Sequence, residues 1–283
     1  MRDLGGLLRL IRPINCVMMG FAVLVGAAIE GGSGVLGSWP SLALGFVTGF
    51  TLTGSAMAIN DYYDREIDAI NEPGRPIPSG AVAPKEALAT SMALSAAALL
   101  AAWLTSPSNL AVAVFSWIVM AAYSARGKRT GLLGNLMVST CIAVPFIYGG
   151  LAVEGALSAS SLLFALMAFL SNTGREVTKG IVDIEGDRAK GVRTVAVSRG
   201  ARAAAGIAAA FYLSAAAISF LPLPLGLVSL WYVPFVALTD LGLIYSSVSL
   251  VRRPTRENSR RTKNRVLLLM MSGLLGFLAG SFL

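Results

Sequence analysis

Histidine is missing from the 283-residue sequence, and cysteine occurs only twice. The lack of histidine excludes a histidine general base and any histidine-dependent catalytic triad. Both cysteines, Cys16 and Cys141, lie in apolar runs, so neither a disulfide framework nor the usual ligand set of a zinc site is present. Charged residues are also few, at 13% of the chain, against 55% hydrophobic residues and a mean hydropathy of +0.70. This composition is that of an integral membrane protein.

Nine apolar stretches are long enough to span a bilayer, and they predict an all-α bundle of nine transmembrane helices in a single domain, residues 1–283. They lie at about 11–29, 40–60, 86–105, 108–125, 132–153, 159–182, 201–221, 226–251 and 266–283. The first has some character of a signal peptide. However, it is long enough to span and lacks a clear small-residue cleavage site, so we interpret it as the first span.

The basic residues predict the orientation of this bundle. With nine spans, all 23 lysines and arginines fall in segments on the same side of the membrane as the N-terminus. By the positive-inside rule this side is cytoplasmic, so the C-terminus lies outside. The net charge of +8 therefore indicates contacts with membrane lipids and an anionic substrate, not with nucleic acid, because no soluble domain carries a basic face. We expect a multi-pass protein of the cell membrane with no evident obligate protein partner.

The second apolar stretch ends in a polar motif that runs from Asn60 to Asp68. Asn60, Asp64 and Asp68 are spaced by four, so they share one face if the helix continues. Like charges at this spacing repel and add nothing to helix stability, whereas Mg²⁺ takes such oxygen ligands together with the phosphates of a substrate. The alternative is a solvated helix end with ordinary surface acids.

The sixth apolar stretch carries a polar stripe with spacings of three and four. Its members are Asn172, Arg175, Glu176, Lys179, Asp183 and Asp187. Charges within a span are costly and usually face a cavity or one another. One interpretation is an internal ladder of salt bridges. The other is a polar pocket at the cytoplasmic mouth of the bundle, rimmed by acids of both motifs, 60–68 and 183–187, which form a loose internal repeat.

A pocket of mixed acids and bases suits a magnesium-bound diphosphate, because the acids bind the metal and arginine and lysine contact the phosphate oxygens. In a membrane, the rest of such a ligand can be a lipid tail between helices. Asp240, in the eighth stretch, fits either a functional role or a hydrogen bond to a neighbouring helix.

The first motif and the segment Arg75-Pro76-Ile77-Pro78-Ser79-Gly80 resemble the first signature of the UbiA superfamily of intramembrane prenyltransferases. Arg175-Glu176 and the segment 183–187 resemble the second signature. Gly180 and Val182 stand where archaeal members often carry further acids, so the second motif is thinner than usual. Further positions similar to the family's, which extend the resemblance over nearly the whole chain, are Arg12-Pro13, Asn15, Tyr123-Ser124 and Lys128.

The resemblance implies a role for each matching residue. The Mg²⁺ ligands would be Asn60, Asp64 and Asp68 at one site and Asp183 and Asp187 at another. The diphosphate contacts would be Arg75, Lys128, Lys179 and Arg193. The acceptor contacts would be Arg12 and Asn15, with Asp61, Tyr123, Asn172 and Glu176 in supporting positions.

The resemblance also implies a reaction, in which a prenyl diphosphate donor ionises and an apolar and aromatic wall shields its allylic cation from water. The first motif is most similar to archaeal members that transfer a geranylgeranyl group to the free hydroxyl of geranylgeranylglyceryl phosphate, an anionic lipid-like acceptor. The alternative is an aromatic acceptor of quinone synthesis, such as 4-hydroxybenzoate or a naphthoate. An ion-coupled transporter is the alternative from another class, although its acids would be expected near the bilayer midplane.

Overall fold

The computed structural model describes residues 4–189 and 191–282, apart from the side chains of Ile67 and Asn71. These residues form α-helices joined by turns, with no strand among them. The helices are α1 (Leu4–Ile11), α2 (Pro13–Gly31), α3 (Trp39–Asn71), α4 (Pro84–Thr105), α5 (Pro107–Ala125), α6 (Leu132–Glu154), α7 (Ala159–Val182), α8 (Ile184–Ala189), α9 (Val195–Ile218), α10 (Tyr232–Arg252) and α11 (Arg256–Gly280). Short 3₁₀ segments, Gly32–Ser38 and Gly127–Arg129, join α2 to α3 and α5 to α6.

Six helical segments among the described residues are long and apolar enough to cross a membrane. The first, Pro13–Glu66, includes α2 and most of α3, and the others are α4, α5, α6, α9 and α10. Helices α7 and α11 have 24 and 25 residues but carry charged side chains. The protein is therefore an all-helical, multi-pass membrane protein.

Three helix boundaries differ from the predicted ones for local reasons. Helix α1 is separated from α2 because Arg12 adopts the left-handed conformation, with φ 51° and ψ 72°. Helix α3 continues to Asn71, well past the predicted end of the second span. Helix α11 begins at Arg256, inside the basic segment, because arginine, lysine and glutamate are good helix formers and the Thr255 side chain caps the helix.

Glycines allow α2 and α6 to pack with their backbones in contact. A Cβ atom built on Gly149 would lie 2.1 Å from the carbonyl oxygen of Val23, and one on Gly26 would lie 2.6 Å from the Cα atom of Phe146. No larger side chain fits between backbones at this distance, as is common for helix pairs in lipid. This contact fixes α2, whose first residues carry site candidates, against α6.

A carboxylate joins the far ends of α2 and α7. Glu30 Oε1 accepts hydrogen bonds from the amide of Ser161, at 3.0 Å, and from its hydroxyl, at 2.9 Å. The Ser158 hydroxyl donates to the same oxygen. A negative charge at a helix N-terminus stabilises the unpaired amides there. Glu30 therefore holds α2 against α7, and the opposite ends of these helices carry site candidates, Asn15 on α2 and Lys179 on α7.

Candidate functional site

The first acidic motif lies on one face of α3, as predicted for a helix that continues. Asn60 Nδ2 donates to Asp64 Oδ2 over 3.1 Å, which is the contact expected at a spacing of four. The side chains of Asp64 and Asp68 are buried, with both residues only 6% exposed. Ordinary surface acids would be solvated, so the interpretation of this motif as a solvated helix end is wrong for Asp64 and Asp68.

Two basic side chains contact this motif, and the resemblance assigns both of them to the diphosphate. Arg75, in the turn before α4, donates to Asp68 Oδ2 over 2.6 Å. Lys128, in the 3₁₀ segment after α5, pairs with Asp64. Burial raises the pKa of the Asp68 carboxyl above its ordinary value, and the positive charge of Arg75 opposes that rise. The acids of the first motif and two of the four predicted diphosphate contacts thus lie together at the end of α3.

Asp61 binds two arginines to which the resemblance assigns different roles. It is 2% exposed and accepts from Arg12 Nη2 over 2.7 Å and from Arg75 Nη1 over 3.4 Å. The sequence assigned Asp61 only a supporting position, because nothing in its spacing shows that Arg12 returns to it from the start of α2. The structure makes this carboxylate the common partner of one predicted acceptor contact and one predicted diphosphate contact.

The polar stripe of α7 forms ion pairs and also faces a cavity. Glu176 pairs with Arg175 over 2.9 Å and with Lys179 over 3.6 Å. Asn172 is buried and donates to the Ser139 hydroxyl of α6 over 3.1 Å. The stripe therefore contains a short salt-bridge ladder, and four of its members, Asn172, Arg175, Glu176 and Lys179, also line the large cavity. The predicted rim of acids is not seen on the described cavity wall, which includes neither Asp64 and Asp68 nor Asp183 and Asp187.

That cavity has a volume of about 640 Å³, and its wall combines charged and polar side chains with a larger number of apolar ones. Site candidates on its wall are Arg12, Asn15, Asn60, Arg75, Tyr123, Lys128, Asn172, Glu176 and Lys179. Eight of the ten methionines line it, namely Met18, Met19, Met57, Met120, Met137, Met167, Met270 and Met271. Only four aromatic residues share the described wall, so it is mainly aliphatic and thioether in character.

The second acidic motif follows the end of α7. Helix α7 ends at Val182, and the Asp187 amide donates to the Asp183 carbonyl over 2.8 Å in the turn into α8. The described wall of the large cavity does not include Asp183, Asp187 or Arg193, and Arg193 is exposed. Their roles toward metal and diphosphate stay predictions.

Asp240 lines the large cavity and accepts from the Ser219 hydroxyl over 2.6 Å. Ser219 directly follows α9, so the predicted hydrogen bond to a neighbouring segment is present. This bond gives Asp240 a structural role between α9 and α10.

The fold and site define a class of protein: a membrane-embedded helical protein with a cavity whose wall combines basic side chains with a larger apolar portion. The chain belongs to the UbiA prenyltransferase family, whose model matches residues 19–274. It is therefore an enzyme that transfers prenyl groups.

Several named relatives are similar to this chain over most of its length. A digeranylgeranylglyceryl phosphate synthase of Archaeoglobus fulgidus is 36% identical over 99% of this chain and 97% of its own length. One of Natronomonas pharaonis is 42% identical over 80% of each chain. A solved structure described as digeranylgeranylglyceryl phosphate synthase in membranes superposes with a TM-score of 0.84, at 28% identity over 100% of this chain and 99% of that one. A UbiA homolog of Archaeoglobus fulgidus bound to DMAPP and Mg²⁺, 17% identical with a TM-score of 0.67 over 96% of this chain and 98% of that one, shares the fold.

Proposed function

We propose that the protein transfers a geranylgeranyl group from geranylgeranyl diphosphate to the free hydroxyl of geranylgeranylglyceryl phosphate, in a Mg²⁺-dependent reaction of archaeal ether lipid synthesis. The observation that carries the proposal is that one cavity of about 640 Å³ is lined both by Lys128 and Lys179 and by a large apolar surface. A diphosphate and its isoprenoid tail need both environments at once. The relatives named as that synthase, which match most of the chain, support the choice of acceptor.

In this proposal the whole chain is one unit of nine spans in the cell membrane. The N-terminus and the site lie on the cytoplasmic side, where all 23 basic residues fall if nine helices cross. Helices α7 and α11 then also cross the membrane, and the charged ends of both helices lie at the cytoplasmic surface. The charged stripe of α7 faces the cavity instead of lipid, as expected for charges in a span.

The donor set at the end of α3 fits Mg²⁺. Asn60, Asp64 and Asp68 offer oxygen atoms on one helix face, and Asp183 with Asp187 would offer a second pair. No group of three or more acidic, cysteine or histidine side chains in the described residues is arranged as a metal cage. Mg²⁺ is usually held by one or two carboxylates together with substrate phosphates, so the set is sufficient. When bound, Mg²⁺ supplies positive charge that stabilises the leaving diphosphate.

The residues of the chain orient the substrates and exclude water. Lys128, Lys179 and Arg75 bind the diphosphate oxygens, which stabilises the charge that develops as the allylic C1–O bond breaks. The apolar wall keeps water away from the resulting cation. Arg12 and Asn15 hold the polar end of the acceptor. The hydroxyl oxygen of the acceptor bonds to C1, and its proton passes to the departing diphosphate.

A transfer assay with purified protein tests this function. Geranylgeranyl diphosphate and geranylgeranylglyceryl phosphate should yield the diether phosphate and one equivalent of diphosphate with Mg²⁺, and neither product after chelation of the metal. A transporter predicts no diphosphate release. Release that does not depend on Mg²⁺ would contradict the proposed metal requirement.

Replacement of Arg75 should mainly weaken donor binding. Arg75→Ala removes a charged contact to the diphosphate, so the KM for the donor should rise about 10- to 100-fold. Steady-state kinetics at saturating acceptor measure this effect, with Arg199→Ala as the control because Arg199 is exposed and lies outside the described cavity wall. An unchanged donor KM would give Arg75 a structural role through Asp61 and Asp68.

A further inference from the structure

One acidic side chain on the wall of the large cavity stands apart from the candidate site. Glu176, the other acid on the described wall, pairs with Arg175 and Lys179. Asp240 lies within α10, is 6% exposed, and forms no ion pair in the part of the chain that the structure describes. A carboxyl group in a membrane span is costly, so such groups usually serve a function.

The hydrogen bonds of Asp240 leave one of its oxygens without a partner. Oδ2 accepts from the Ser219 hydroxyl over 2.6 Å, but that hydroxyl also lies 2.6 Å from the Ala216 carbonyl oxygen. One hydroxyl carries one proton, so it cannot donate fully to both acceptors. Oδ1 has no hydrogen-bond donor among the described residues. Because Asp240 lines the large cavity, this oxygen is available to a donor inside it.

Contacts among α7, α9 and α10 place Asp240 at a distance from the candidate diphosphate contacts. The Ser219 carbonyl oxygen accepts from Tyr232 Oη over 2.9 Å, and the same hydroxyl lies 3.9 Å from Met167 Sδ on α7. Met167 precedes Lys179 by twelve residues on α7, which is a helical rise of about 18 Å. Both residues line the large cavity, as do residues at helical spacing between them, so the cavity follows α7 over this distance.

We propose that Asp240 limits the length of the prenyl tail of the donor, and that it is therefore a specificity residue for a twenty-carbon chain. The inference rests on the proposed function and extends it to the far end of the donor. With its diphosphate at Lys179, an extended geranylgeranyl chain that follows α7 for about 18 Å ends near the level of Asp240. A shorter chain stops before the carboxyl group, and a longer chain must cover it.

The physical reason for the limit is the desolvation of a polar atom. In a cavity with a mainly aliphatic and thioether wall, Oδ1 of Asp240 obtains a hydrogen-bond donor only from water or from a polar group of the ligand. An isoprenoid chain carries no donor, so a tail that covers this oxygen leaves it buried and unsatisfied, which weakens binding. A chain that ends before the oxygen leaves it hydrated. The limit is therefore set by polarity and not by lack of space.

The test compares donors of different length, with geranylgeranylglyceryl phosphate as the acceptor. For the wild-type protein we expect kcat/KM to be about 10- to 100-fold higher with the twenty-carbon prenyl diphosphate than with the twenty-five-carbon one. In Asp240→Leu this ratio should fall by about tenfold or more, although leucine is the larger side chain and adds no room. Asp240→Asn is the matched control. It should retain the wild-type ratio, because the amide keeps the polarity and size of the side chain.

A second measurement uses the wild-type protein and so does not depend on the folding of Asp240→Leu. A geranylgeranyl diphosphate with a hydroxyl group at the end of its tail should have a KM within about threefold of that of the unmodified donor, because Asp240 accepts from this hydroxyl. An unchanged length ratio in Asp240→Leu would overturn the inference, and so would a KM for the hydroxylated donor that is raised more than about tenfold. Failure of the proposed function would be visible separately, because the wild-type protein would then transfer neither tail to the phosphorylated acceptor.

Discussion

Asp64→Asn should lower the rate of prenyl transfer by about 100- to 1,000-fold or more while the protein stays folded. Asp64 is the middle member of the three oxygen donors on α3, is buried, and pairs with Lys128, which lines the large cavity. Asparagine keeps the size of the side chain but removes its negative charge. The variant therefore loses its attraction for Mg²⁺ and the alignment of Lys128 with the diphosphate.

The rate should be measured at saturating donor and acceptor over a titration of Mg²⁺. Glu257→Gln is a matched control, because Glu257 is an exposed acid on α11 that pairs with Arg261 over 2.6 Å, away from the described cavity walls. Asp183→Asn should reduce transfer to a similar degree if the second motif also binds metal. Full activity in Asp64→Asn would remove the proposed metal site on α3.

Gly149→Ala should destabilise the bundle by about 1–3 kcal/mol or more, because the added methyl group meets backbone that cannot move aside. It would lie 2.1 Å from the Val23 carbonyl oxygen, in the contact that holds α2 against α6. We expect a lower melting temperature of the purified protein in detergent. Activity should fall with it, since α2 carries Arg12 and Asn15 at its start.

Gly206→Ala provides the comparison for this prediction. Gly206 lies within α9, is exposed, and a Cβ atom on it would have no neighbour within 4 Å. Alanine favours the helix by about 1 kcal/mol over glycine, so this variant should melt at the same or a higher temperature. If both variants melt alike, the close packing of α2 on α6 does not limit stability.

The membrane fold was predictable because long apolar runs have few alternatives to helices in a bilayer. The continuation of α3 was expected only on the condition that the spacing of Asn60, Asp64 and Asp68 was helical. Helix α1 escaped prediction, since its eight residues run into the first span and only the backbone of Arg12 divides them. The start of α11 was also missed, because a run of basic residues is compatible with either a loop or a helix.

The site was predictable in its residue types but not in its pairing. Spacing alone placed the acids of α3 on one face, and family resemblance brought in Arg75 and Lys128. The double role of Asp61 depends on how α1, α2 and the turn before α4 approach one another, which no local pattern encodes. The placement of Asp183 outside the described cavity wall likewise depends on where α7 stops.

The most direct test of the account is a competition between acceptors. Purified protein, geranylgeranyl diphosphate and Mg²⁺ would be given geranylgeranylglyceryl phosphate and 4-hydroxybenzoate together, and the products would be separated. The account predicts that the diether phosphate dominates, because the proposed acceptor contacts Arg12 and Asn15 line the same cavity as the apolar residues that would hold the lipid tails. Dominance of the prenylated aromatic would contradict the assigned acceptor, and absence of diphosphate release would contradict prenyl transfer itself.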